Sequence, residues 1–145
     1  MVERDFIMRM LHDFFNVIAK IARLRVEEPD ITRIQERFDE MYRQFFRKPA
    51  EYFYALEKNA ILDELTGEEL SESEQNAMVQ MLSELLYRDG LIKKDVIEKI
   101  SLLDKSLFLL KNLECKNKTY SWDREQKMSD IHKILTEYNI DNADY

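Results

Sequence analysis

Apolar residues recur at steps of three and four along almost the whole chain, the spacing that lines up one face of an α-helix. Ile7, Leu11, Phe14, Ile18 and Ile21 set the first stripe, and Phe6, Met10, Val17 and Leu24 widen it. The pattern predicts a first helix of about 20 residues, apolar over more than one face. Pro29 and Asp30 then supply a stop and an N-cap, and Ile31, Ile34, Phe38, Met41 and Phe45 predict a second helix that ends before Pro49. Pro49 suits the first position of a third helix, which carries Tyr52, Phe53, Leu56, Ala60 and Leu65 and stops at Thr66-Gly67. Ser71 and Glu74 have the spacing of a capping box, ahead of a fourth helix with Met78, Met81, Leu82, Leu85 and Leu86 and with Gly90 as its C-terminal stop. Val96, Ile100, Leu103, Leu107 and Leu110 mark a fifth. Ser121 caps a sixth, which carries Met128, Ile131, Leu135 and Tyr138.

Six helices with short connections imply an all-α fold of three antiparallel hairpins. Stripes wider than one face favour an array in which each helix packs on two neighbours, with a closed helical bundle as the alternative. The chain is 145 residues long, which fits one domain able to bury roughly 70% of its unfolded surface. The boundary falls at a single helical domain over 1–138 and a polar C-terminal tail over 139–145.

Charge narrows the function classes. There are 29 acids against 22 Lys and Arg, a net charge of −7. No base occurs between Lys58 and Arg88, where Asp63, Glu64, Glu68, Glu69, Glu72, Glu74 and Glu84 lie. An acidic chain with no basic run is a poor partner for nucleic acid, since phosphate binding needs clustered cations. The first residues carry acids where a secretion signal needs bases, and the longest run free of charge, 75–83, is far short of the roughly 20 residues of a membrane span. The single Cys115 excludes an internal disulfide and points to a reducing, cytoplasmic setting.

Leu82 to Val96 resembles the middle of a tetratricopeptide repeat, with Gly90 as the turn glycine and Leu82 and Leu86 at the large positions of the first helix; Val96, Ile100 and Leu103 fall one place late in the second. Asp5-Phe6-Ile7-Met8-Arg9 and Glu51-Tyr52-Phe53-Tyr54 resemble a family of small uncharacterised bacterial all-helical proteins. These resemblances imply a helical-hairpin scaffold of the kind used to bind proteins, and assign no site residues.

Catalytic constellations are scarce. Two glycines cannot form a phosphate cradle, and His12, His132 and Cys115 cannot complete a zinc site by themselves. Glu36 and Glu40 resemble part of a di-iron carboxylate helix, but the Glu-x-x-His half of that motif is missing. Cys115 at a helix end reads as incidental, and His12 as a flank residue bonded to a neighbouring acid. No catalytic residue, metal ligand or cofactor is therefore expected.

Two surfaces remain as candidates for partner binding. The aromatic corner from Tyr42 to Tyr54 carries cations, and Tyr54 with Arg47 and Lys48 is the expected recognition site for an acidic or aromatic group, the alternative being that the rings only fill the core at the corner of the second and third helices. In the acidic window, Glu68, Glu69 and Glu72 would meet a basic segment if they do more than solvate a face. The first helix carries more apolar surface than one neighbour can cover, which predicts a homodimer through it. The functional expectation is a protein-binding adaptor or scaffold. A small-molecule or metal-dependent enzyme with a site assembled from scattered Glu, Tyr and Arg residues is the alternative.

Overall fold

The computed structural model describes residues 2–27, 30–117 and 120–138. Those residues form seven α-helices and no strand: α1 Val2–Glu27, α2 Ile31–Phe46, α3 Ala50–Ala55, α4 Lys58–Leu65, α5 Glu72–Ile92, α6 Val96–Lys116 and α7 Trp122–Glu137. The tail from 139 lies outside the described residues.

Local chemistry sets most of the boundaries. Asp30 caps α2 by accepting from the backbone of Thr32 and Arg33, and Arg47 closes that helix in the left-handed conformation, φ 60°. Both halves of the Ser71–Glu74 capping box open α5. Asp95 caps α6 and Ser121 caps α7.

The third predicted helix is broken in two. Leu56 and Glu57 are extended, and no proline or glycine lies there. The agent is Lys105, buried on α6, whose ammonium donates to the carbonyls of Phe53 (3.2 Å) and Tyr54 (2.6 Å). In an unbroken helix those carbonyls would accept from Glu57 and Lys58. Lys105 takes them instead and caps α3, while burial pushes its own pKa down.

α5 is the hub. It packs on α1, α2, α4 and α6, and its pairing with α6 is the most extensive contact in the molecule. α5 is thus enclosed by four neighbours. Among the described residues, seven helices stand where six were expected, because the third is split into the short α3 and α4. From Met81 to Tyr87 every residue of α5 is buried. Gly90 does not stop this helix, which continues to Ile92. A Cβ at Gly90 would sit 3.1–3.3 Å from Leu103 and Leu102, so the missing side chain lets α6 approach. Ser106 adds a hydrogen bond across the same contact, donating to the Ser83 carbonyl at 2.7 Å.

α1 has two neighbours, α2 and α5, rather than one. Ile7, Phe14, Ile18 and Ile21 are buried; Met10, Leu11, Phe15 and Val17 pack against the core, and Phe14 meets Phe15 and Phe45 edge to face at 5.1 and 5.2 Å. Phe6 and Met8 stay exposed. Most of the apolar excess that suggested a dimer is thus covered within one chain. α7 is held by Lys127, which pairs with the buried Glu84 and with Asp123, and by the Arg124–Glu114 pair.

Candidate functional site

α2 presents Gln35, Asp39 and Tyr42, spaced four and three apart, on one side. α3 brings Tyr54 to them, and the end of α5 brings Asp89 and, one turn on, Lys93. Asp89 is fully buried. Its Oδ2 accepts from the hydroxyls of Tyr42, at 2.7 Å, and Tyr54. Its Oδ1 accepts from Gln35 Nε2 at 3.1 Å and pairs with Lys93 Nζ at 3.4 Å. Lys93 also donates to Gln35 Oε1 (2.7 Å) and lies 4.6 Å from the centre of the Tyr54 ring.

Burial first, and the Asp89 charge second, hold both tyrosine hydroxyls well above the ordinary range, so they stay protonated donors. Asp39, which accepts from Gln35 at 3.1 Å, has its carboxyl pushed up by burial; Asp89 and Glu51 add to that, and Gln35 opposes it. Outside this knot lies an open cleft of about 580 Å³ lined by Gln35, Glu36, Asp39, Lys93, Asp95 and Glu98. Three hydrogen bonds and the Lys93 ion pair engage both oxygens of Asp89. The cluster ties α2, α3 and α5 together and buries Asp89 among its own partners.

A different surface is less self-contained. Along the C-terminal half of α1, a groove of about 510 Å³ opens toward α2. Its floor is Val17, Ile21, Leu24 and Met41, all buried or half-buried. Its rim is Lys20, Arg23, Arg37, Glu40 and Gln44, all exposed. None of the three cations forms an ion pair among the described residues. Ile21 also lines a second, apolar gap of about 380 Å³ on the other flank of α1, with Ile18, Ile34, Phe38 and Ile92. The end of α1 therefore rests on the core with an open trough on each side.

The residues expected at the site are dispersed. Tyr54 does not join Arg47 and Lys48: Asp89 binds its hydroxyl and Lys93 covers its ring. Lys48 lies over Tyr52 instead, 4.9 Å from the ring centre, and Tyr52 reaches Glu64. The reason is the rotation of α3: with Phe53 buried against Tyr42 and Phe46, its two neighbours fall on opposite sides. Arg47 is exposed at the end of α2.

The acidic window is not one surface. Glu64 takes the Tyr52 hydroxyl, Glu74 completes a cap, and Glu84 is buried with Arg88 and Lys127. Glu68, Glu69 and Glu72 remain exposed, and Glu72 sits in the first turn of α5. The exposed His12 accepts from the Asn16 amide (3.1 Å) rather than bonding an acid. Cys115 is exposed.

Among the described residues, no group of three or more His, Cys, Asp or Glu is placed to hold a metal, and no helix is long and apolar enough to cross a membrane. No family model, curated protein or solved structure matches the chain.

Proposed function

We propose that this protein is a binding module for another protein, and that the partner seats in the groove between α1 and α2. The observation that carries the reading is the groove's composition. An apolar floor is flanked by Lys20, Arg23 and Arg37, none spent on an ion pair among the described residues, in a chain whose net charge is −7. Apolar floors with polar rims are how helical scaffolds hold partner segments. A cytoplasmic setting belongs to the same reading, supported by the lone cysteine.

The enzyme alternative has less support. The dense polar cluster around Asp89 spends its donors internally, and the neighbouring cleft is open rather than enclosed. A homodimer through α1 competes for the same surface. A two-fold contact centred on Lys20 and Arg23 would set these cations against their own copies, which disfavours it.

The test is partner capture by the wild type and by a Lys20→Glu, Arg37→Glu variant whose helicity and melting are unchanged. Loss of the captured protein supports the reading. Retention of it by the variant moves the binding face elsewhere.

A further inference from the structure

The floor and rim of the α1–α2 groove also specify what should lie in it. Val17 to Leu24 on α1 and Arg37 to Gln44 on α2 each span two helical turns, about 10 Å. That is the reach of anchors at i, i+3 or i+4, and i+7 on one face of a helix. The floor is concave and recessed. Ile21 and Met41 are almost fully buried and Val17 and Leu24 half-buried, so no residue of this floor projects to enter a bilayer. Apolar ridges on a partner must instead come down between the rim residues. Those ridges pass Lys20 and Arg23 on one bank and Arg37 on the other, with Glu40 the single opposing charge.

We infer that the occupant is an acidic amphipathic helix of a partner protein, with Leu-like anchors on the Val17, Ile21, Leu24 and Met41 floor and Glu or Asp flanking them against Lys20, Arg23 and Arg37. This rests on the proposed binding module and names its partner's chemistry. Approach of that helix is steered by the cationic banks, and the rest of the surface, acidic overall, repels it, which fixes where it lands.

The experiment uses the full chain and three probes. One is a fluorescein-labelled synthetic helix of 18 residues with Leu on one face and Glu on its flanks. The second has the same Leu face with Lys replacing Glu. The third is vesicles of phosphatidylcholine with phosphatidylserine. Anisotropy should show the Glu helix binding, the Lys helix weaker by roughly tenfold or more, and affinity falling as salt rises. Lys20→Glu with Arg37→Glu, both exposed and safe for folding, should reverse the preference between the two helices. Leu24→Glu should weaken both.

Equal binding of the two helices, or preference for the Lys helix, overturns the acidic partner while leaving a binding groove in place. Failure of both helices with vesicle binding intact overturns it in favour of a lipid surface. Failure of all probes, together with a mass that doubles at high concentration and reverts on Leu24→Glu, overturns it in favour of a second copy.

Discussion

Tyr42→Phe removes one oxygen and little else. The tyrosine is fully buried, its ring stacks on Phe53 at 5.8 Å, and Phe keeps that packing. The lost group is a hydroxyl donating at 2.7 Å to a fully buried carboxylate. A hydrogen bond to a charged partner contributes about 1.5–3 kcal/mol, and Asp89 would keep Tyr54, Gln35 and the Lys93 ion pair but lose one of its three hydrogen-bond donors. For a domain of this size that amounts to a fall in melting temperature of roughly 4–10 °C. The assay is thermal and urea unfolding followed by circular dichroism, with Tyr52→Phe as the control. That hydroxyl donates to Glu64 at the surface, and the midpoint should barely move. Asp89→Asn should be worse, about 3–5 kcal/mol, since it strips the charge opposite Lys93. A cycle of the two substitutions should show coupling of about 1 kcal/mol or more. If Tyr42→Phe lies within about 0.5 kcal/mol of wild type, the cluster does not clamp α2 to α5 as its geometry implies.

Two further predictions concern glycine and acid. Gly90→Ala gains about 1 kcal/mol of helix propensity but puts a methyl 3.1 Å from Leu103, which is fully buried and cannot retreat, so overpacking of about 1–3 kcal/mol should win. Gly67→Ala meets only the flexible end of Glu69 and should be neutral or slightly stabilising; urea midpoints separate the two, and a Gly90→Ala protein more stable than wild type would contradict the close approach. Asp39 has a raised pKa when folded, so its ionisation weakens the fold as pH rises through that value, and the penalty vanishes below the unfolded pKa of about 3.9. Asp39→Asn should therefore raise the urea midpoint at pH 7 and not at pH 3.5, and an equal effect at both would rule out the charge as the cause.

Local signals were legible and non-local ones were not. The caps at Asp30, Ser71 and Ser121 depend only on residues two or three places away, and all three hold in the structure. The break after Ala55 depends on Lys105, fifty residues on, and nothing in 50–65 announces it. Gly90 reads as a stop by composition, while its role comes from Leu102 and Leu103 across the α5–α6 contact. The Asp89 cluster draws on three helices, so neither Tyr42 nor Tyr54 could be assigned to it from spacing. Residues 81–87 include Ser83 and Glu84 and read as an ordinary amphipathic stretch, whereas in the structure they are all buried, and a carboxylate on such a helix must find donors. The groove at Lys20, Arg23 and Arg37 escaped notice because its two banks belong to different helices, and each helix alone carries an ordinary scatter of charge.

The binding face itself is best tested by site-specific photocrosslinking in the native cell. Gln44, exposed on the rim of the α1–α2 groove, and Glu98, exposed on the cleft beside Lys93, are each replaced by benzoylphenylalanine. The predicted result is a protein adduct from position 44 that disappears on Lys20→Glu with Arg37→Glu, and none from position 98. An adduct from position 98 alone, or one from position 44 that survives the charge reversal, would contradict the groove as the seat of the partner.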